Sequence, residues 1–184
     1  MSEQAQRGMT ADEFVAWVMV QPEGCRYEMT DGEIVGMASE RAGHARAKGE
    51  VFMRLREAVR AAKLPCEVFP DGMAVRVSER TVYEPDVQVR CGAPLGDDTV
   101  LIEDPIIIVE VLSPSTGNLD AGIKLSDYFR VPSLRHYLIV DAQRRRAVHH
   151  QRDEAGTITT KLLGDGPLRL DPPGLVLPSL FSPT

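Results

Sequence analysis

The sequence predicts an α/β (α+β) domain with a central mixed β-sheet flanked by helices, preceded by an N-terminal helix and a β-hairpin. Three observations predict it. The apolar run Ile106-Ile107-Ile108-Val109-Glu110-Val111-Leu112 has the character of a strand covered on both faces, the kind found centrally in mixed or parallel sheets. A helical stretch at about 119–131 and a strand at His136–Asp141 follow it, which makes 105–141 a strand, helix, strand crossover, right-handed by default. A long amphipathic helix at about 40–63 lies upstream and supplies an apolar stripe for one sheet face.

In chain order, Thr10 before Ala11-Asp12-Glu13 has the form of an N-cap with an acidic first turn, and Phe14, Val15, Trp17 and Val18 follow at helical spacing. A helix over about 10–20 is expected. Asp31-Gly32 then separates two extended pieces, 26–30 and 33–35, as a tight hairpin turn. In the long helix, His44, Ala47, Val51, Leu55, Ala58 and Ala62 recur at steps of three and four, with basic residues between them, and Pro65 ends it. Extended segments at 66–70, 73–78 and 86–91 suggest a meander. Ser113–Asn118 breaks the apolar strand, and strands at 136–141 and 147–151 come after the next helix. Five prolines between 167 and 183 suggest strand pieces and coil lying over the surface.

At 184 residues the chain is expected to form one domain, 1–184, with loose tails at 1–9 and 180–184. No run approaches the length of a membrane span, and the N-terminus lacks the apolar core of a secretion signal, so a cytoplasmic location is expected with no membrane partner. Cys25, Cys66 and Cys91 have no zinc-like spacing and are expected as isolated thiols of a reducing compartment. The net charge of −6 argues against coating nucleic acid through the overall field. Basic residues are nevertheless concentrated locally, at Arg41, Arg46, Lys48, Arg54, Arg56, Arg60 and Lys63 and again at Arg144-Arg145-Arg146, where they could touch phosphates or simply form solvated faces.

Glu110 is the residue that most needs a reason. An unpaired ionised carboxylate in such a run is costly or becomes neutral, so it calls for a metal ion, a lysine or a hydrogen-bond network. Side-chain alternation puts Glu110 with Ile106, Ile108 and Leu112, and puts Asp86 with Gln88 and Arg90 on the polar face of a half-buried strand. If the two strands are neighbours, the carboxylates converge and repel unless they share a proton or a cation; Mg²⁺ or Mn²⁺ with hard oxygen ligands is the natural neutraliser. Lys124, one turn into the next helix, can reach back over the strand end, although Asp120 four positions earlier offers it an ordinary surface pair. His44 lies on the apolar stripe near a helix start, where a hydrogen-bonded core histidine is the plainer role, and Glu28 sits in the hairpin. His149 and His150 end an exposed-looking strand and are given no role. Ser113, Ser115 and His136 lack a nucleophile elbow.

The series Tyr27–Ile34, His44, Glu84-Pro85-Asp86-Val87, Ile108–Thr116, Asp120, Lys124, Tyr128 and Tyr137–Asp141 resembles the Uma-two family, a branch of the PD-(D/E)XK nuclease superfamily. The resemblance spans about residues 10–162, and VEVLSPST with Asp120, Lys124 and Tyr128 is its most specific part. It implies a restriction-endonuclease-like core with the site at one end of the sheet, Mg²⁺ (or Mn²⁺) held by Asp86 and Glu110, DNA as the nucleic-acid partner, and a homodimer for double-strand cleavage. It also implies that Lys124 supplies the lysine normally found two positions after the Glu, since Leu112 occupies that place. His44 and Glu28 are further contributors. Asp86 and Glu110 are 24 positions apart, and the intervening 92–104 loop is expected to shape access. The residues themselves suit DNA or RNA. The rival is a catalytically inactive nuclease-fold module that binds nucleic acid or assembles with partners, a role the acidic charge favours; a third alternative is a purely structural Glu110–Lys124 ion pair.

Overall fold

The capping signal at Thr10 is realised in full. In the computed structural model, which describes residues 8–113 and 118–181 (only the backbone over 118–121), helix α1 spans Ala11–Val18. The Thr10 hydroxyl accepts from Glu13 N–H, and the Glu13 carboxylate accepts from Thr10 N–H at 2.8 Å. Ala11 and Phe14 are the buried face of this short helix. Thr10→Ala is expected to lower stability by about 1 kcal/mol, read from thermal or urea unfolding. No loss would mean that packing of Ala11 and Phe14 alone holds α1.

Strands β1 (Tyr27–Thr30) and β2 (Glu33–Gly36) form the expected hairpin, with Asp31 and Gly32 both at positive φ, 50° and 85°. That pair of conformations matches the right-handed twist of the strands, and Gly supplies the second at no steric cost. Helix α2 runs over Ala42–Ala62 and buries Lys48, Val51, Leu55, Ala58 and Val59. Next come β3 (Cys66–Pro70), β4 (Ala74–Ser78), β5 (Thr81–Tyr83), β6 (Val87–Cys91), β7 (Leu101–Ile102) and β8 (Pro105–Val111). Helix α3 (Asn118–Tyr128) leads to β9 (His136–Asp141), β10 (Arg146–Arg152), β11 (Ile158–Leu163), β12 (Leu168–Leu170) and β13 (Leu175–Leu177).

Among the described residues these strands make a five-stranded sheet, β2-β1-β5-β4-β7, a six-stranded sheet, β11-β10-β9-β8-β6-β3, and a β12-β13 pair. Both large sheets are mixed: β8 runs parallel to β9 and β4 parallel to β7, and the other pairings are antiparallel. The expected meander over 66–91 is therefore corrected. β3 and β6 pair in the six-stranded sheet while β4 and β5 belong to the other, and the 92–104 loop returns β7 to β4. Similar apolar alternation in all these strands carries no information on which sheet each joins.

Alternation along β8 builds two cores at once. Ile107, Val109 and Val111 pack with Val87, Val89 and Leu138 against Val51, Leu55 and Val59 of α2. Ile108 and Tyr137 face the other way, onto Tyr128, Leu134, Tyr83, Val75 and Val77, which joins the two sheets. Full burial of each large aliphatic side chain contributes about 1.5–3 kcal/mol, so β8 is the anchor of both layers. A third cluster sets Ala11 and Phe14 of α1 against Met29 and Val82.

Several expectations change. The proline-rich C-terminal stretch does more than lie on the surface, because Leu168, Leu170, Leu175, Leu177, Leu180 and Phe181 complete the α2 core; Leu180 and Phe181 thus do not belong to a loose tail. The rest of that tail, most of the N-terminal one and most of the 113–118 break lie outside the described residues. Gln88 is fully buried, so β6 has no solvated polar face. His149 and His150 are buried too. His136 Nδ1 meets His149 Nε2 at 2.9 Å, and His136 Nε2–H donates to Pro172 O at 2.7 Å. Burial pushes His149 down to about 4, with His136 adding to the effect, so both rings are neutral near pH 7. Cys66 and Cys91 are not isolated: they face each other in the β3/β6 register and form a disulfide, which leaves Cys25 free and exposed. Residues 25 positions apart give no sequence sign of that pairing. No helix among the described residues is long and apolar enough to cross a membrane.

Candidate active site

The chain leaves the five-stranded sheet at Tyr83 and enters the six-stranded sheet at Val87, and Glu84-Pro85-Asp86 is the crossing. The candidate site lies at this seam, at the C-terminal end of β8. Val87 pairs with Val109 as the last rung of β6 and β8, and Asp86, just before it, accepts from the N–H of Val111, the residue after Glu110. The predicted neighbouring of the two carboxylate strands is therefore observed.

Each carboxylate is held differently. Asp86 Oδ2 accepts from Val111 N–H at 2.6 Å, and its Oδ1 is 3.5 Å from Lys48 Nζ. His44 Nε2–H donates to Val111 O at 2.7 Å and is 3.8 Å from Asp86 Oδ2. The acceptor carbonyl assigns the hydrogen to Nε2. Asp86 and His44 thus grip the two polar groups of one residue, Val111, at the C-terminal end of β8. Glu110 points to the opposite layer, where Tyr128 O–H donates to its Oε1 at 2.7 Å and Lys124 Nζ lies 3.4 Å from the same oxygen.

Lys124 also donates to Glu28 Oε1 at 2.9 Å, and its ammonium lies 5.0 Å from the Tyr83 ring centroid. Met29 is buried against α1, so its neighbour Glu28 faces the other way, into the seam, where it also accepts from Glu84 N–H at 2.9 Å. Tyr83 O–H donates to Asp127 Oδ2 at 2.6 Å, tying α3 to the first sheet. The five residues expected at the site, Asp86, Glu110, Lys124, His44 and Glu28, are all at this seam. The Asp120 side chain, the alternative partner for Lys124, lies outside the described residues.

Other members were not expected from the sequence. Lys48, counted there among basic residues that could meet phosphate, is buried with its ammonium bonded to Asp71 Oδ2 at 2.5 Å and to Glu40 Oε1. Arg26 binds Asp71 at 2.8 Å and Glu84 at 2.9 Å, and lies 3.5 Å from Glu40. One sequence signal existed: Lys48 is four positions after His44 and so on the same helical face. Nothing in the sequence pairs Arg26 with Glu84. In the Arg144–Arg146 cluster, Arg144 pairs with Asp141 and Arg145 with Asp165, and Arg144 and Arg146 are exposed.

Burial pushes the Glu110 carboxyl up to about 7; Lys124 opposes this, while Asp86 and Glu28 add to it. Burial also raises Asp86, against the Val111 N–H, Lys48 and His44, and raises Glu84 against Arg26. Asp71 is lowered because Lys48 and Arg26 outweigh its burial. Tyr128 is held well above its usual range by burial beside Glu110. Tyr128→Phe is expected to cost about 1.5–3 kcal/mol of stability at pH 8 and to push Glu110 above its present value, because the hydroxyl favours the ionised carboxylate. Carboxyl-resonance NMR titration would report it, and an unmoved Glu110 would show that the hydroxyl is not its determining donor.

A divalent ion fits this chemistry in one respect and needs help in another. Asp86 and Glu110 are hard oxygen donors whose mutual repulsion a cation would relieve. Among the described residues no group of three or more His, Cys, Asp or Glu side chains is set to hold a metal. The remaining positions would come from water and phosphate, which is how Mg²⁺ is commonly held.

Residues 11–179 match the model of the Uma2 (Uma-two) family, described as "Putative restriction endonuclease". Two relatives come from Synechocystis sp.: the uncharacterized protein sll1609 is 29% identical over 142 residues, 75% of this chain and 79% of that one. The uncharacterized protein slr1290 is 26% identical over 169 residues, 91% of this chain and 87% of that one. A crystal structure titled as a putative nuclease belonging to DUF820 from Anabaena variabilis superposes with a TM-score of 0.70 at 13% identity, covering 89% of this chain and 90% of that one. The two share a fold.

Proposed function

The chain belongs to the Uma2 family, whose description is "Putative restriction endonuclease", and from that premise we propose that it is a divalent-metal-dependent nuclease hydrolysing phosphodiester bonds of DNA. The observation that supports this is that Asp86, bonded to the N–H of Val111, lies beside Glu110 at the sheet seam, with Lys124 bridging Glu110 and Glu28. In this proposal Asp86 and Glu110 hold Mg²⁺ or Mn²⁺. When bound, the ion would lower the pKa of a nearby water and supply a counter-charge for the phosphate.

The protein's own groups do the rest. Val111 N–H fixes Asp86, and Tyr128 O–H fixes Glu110, so both carboxylates are preorganised and lose little freedom when loaded. Lys124, steadied by Glu28, presents an ammonium at the strand end that orients the attacking water or meets a phosphate oxygen. His44 positions the Val111 peptide through its Nε2–H. The chain's negative charge requires DNA to be met locally, and Arg41, Arg46, Arg56 and Arg60 are exposed on α2 for that purpose. Two copies acting as a homodimer would cut both strands.

The test is incubation of purified protein with supercoiled DNA and with RNA, in Mg²⁺, Mn²⁺ or EDTA. DNA cleavage that needs the divalent ion is expected. Binding without cleavage under every metal and substrate condition would favour the inactive binding module, and cleavage of RNA alone would overturn the substrate assignment.

A further inference from the structure

Lys48 is the least expected residue near the seam. Its ammonium is buried, yet three carboxylates surround it: it bonds to Glu40 and to Asp71 and lies 3.5 Å from Asp86 Oδ1. Arg26 braces the same group from outside by contacting Glu40, Asp71 and Glu84. A buried lysine is stabilised only by such partners, and conversely three clustered carboxylates are tolerated only around a cation. The bonds to Asp71 and Glu40 are the partners that its burial requires. Asp86 is the one carboxylate shared with the candidate metal pair. Its contact with Lys48 is longer than the Lys48–Asp71 bond, so Asp86 Oδ1 keeps lone-pair capacity for another cation.

We propose that Lys48 is a positioning residue whose ammonium serves as the resident cation of the Glu40, Asp71 and Asp86 carboxylates, so that the centre takes one divalent ion at Asp86 and Glu110 rather than two. Two-metal centres use bridging carboxylates with ions about 3.5–4 Å apart. Here the second place beside Asp86 is filled by a side chain of the protein. Around the seam six carboxylates, Glu28, Glu40, Asp71, Glu84, Asp86 and Glu110, face Arg26, Lys48 and Lys124, and one divalent ion nearly completes the balance. Glu40, Asp71 and Asp86 do not form a ready metal cluster, and the Lys48 ammonium occupies the space between them.

The inference rests on Asp86 and Glu110 binding a divalent ion, and counting bound Mn²⁺ by EPR and equilibrium dialysis separates the two. The wild type is expected to bind one Mn²⁺ and Lys48→Ala two, with Lys48→Ala/Asp71→Asn returning to one. One ion in both the wild type and Lys48→Ala would overturn the role of Lys48 alone, as would two in the wild type. None in the wild type would overturn the metal centre and the inference together. Should Lys48→Ala not fold, Lys48→Met keeps the volume of the stem and gives the same count. Independently of both, Asp71→Asn frees the ammonium to move onto Asp86 and should weaken Mn²⁺ binding by about tenfold. Unchanged affinity in Asp71→Asn would overturn the proposal.

Discussion

Glu110→Gln is expected to lower divalent-dependent DNA cleavage by about 10³-fold or more while leaving the protein folded, and Asp86→Asn to do the same. The substitution keeps the shape of Glu110 and an oxygen to accept from Tyr128, and removes only the charge that a cation would meet. Its stability effect has the opposite sign to that of most buried substitutions. The Glu110 carboxyl is raised to about 7 from its ordinary 4.5, so between those values the native protein holds more protons than the unfolded chain. Wild-type stability from this group is full below about 4.5 and falls as pH rises through about 7. Glu110→Gln lacks that slope. The melting temperatures of the two proteins should therefore diverge between about pH 4.5 and 8, with the variant gaining on the wild type, and Mg²⁺ should stabilise the wild type alone. Full cleavage activity in Glu110→Gln would remove Glu110 from the centre. Parallel melting profiles across that pH range would show that its carboxyl is not raised.

Lys124→Met should lower the maximal cleavage rate by about 10²–10³-fold with little change in Mn²⁺ affinity. Lys124 meets Glu110 through a 3.4 Å contact and bonds more closely to Glu28 at 2.9 Å, so it is not the group that fixes the two candidate metal carboxylates. Its loss removes the positive charge that the proposal sets near the phosphate and leaves Tyr128 and Val111 N–H in place. Lys124→Arg should recover only part of the rate, because a planar guanidinium cannot present the same point charge from the same stem. If Lys124 and Glu110 were only a structural pair, replacing both with apolar residues would be neutral or stabilising, and Lys124→Met alone would leave the rate unchanged in protein that remains folded.

Much of the site was legible because its chemistry conflicts with its surroundings. A carboxylate inside an isoleucine and valine run announces Glu110, whereas Asp86 stood out through strand alternation and the family resemblance, since a Pro-Asp pair alone means little. His44 and Glu28 were legible only as weaker candidates. The structure gives both a defined place: one holds the Val111 carbonyl and the other holds Lys124. Lys48 was hidden in plain sight, since a lysine among arginines on an amphipathic helix looks solvated. It is the carboxylates of other segments, Asp71 and Asp86, that make its burial tolerable.

The sequence by itself determined the local elements: the capped helix at Thr10, the Asp31-Gly32 hairpin, the long helix with its stripe through Val51 and Leu55, and the doubly covered strand at Glu110. Each depends on interactions between residues a few positions apart, or on a hydrophobic period that any partner would satisfy. Only the tertiary structure decided that β4 and β5 leave the sheet of β3 and β6, that Cys66 meets Cys91, that the late leucines close the α2 core, and that His149 is buried. It also decided that the crossing at Glu84-Pro85-Asp86 brings two sheets and two helices to one seam. Those outcomes are pairings between distant segments. An apolar alternation states that a strand has a partner, and the choice of partner is set by which arrangement buries all the faces and neutralises all the charges at once.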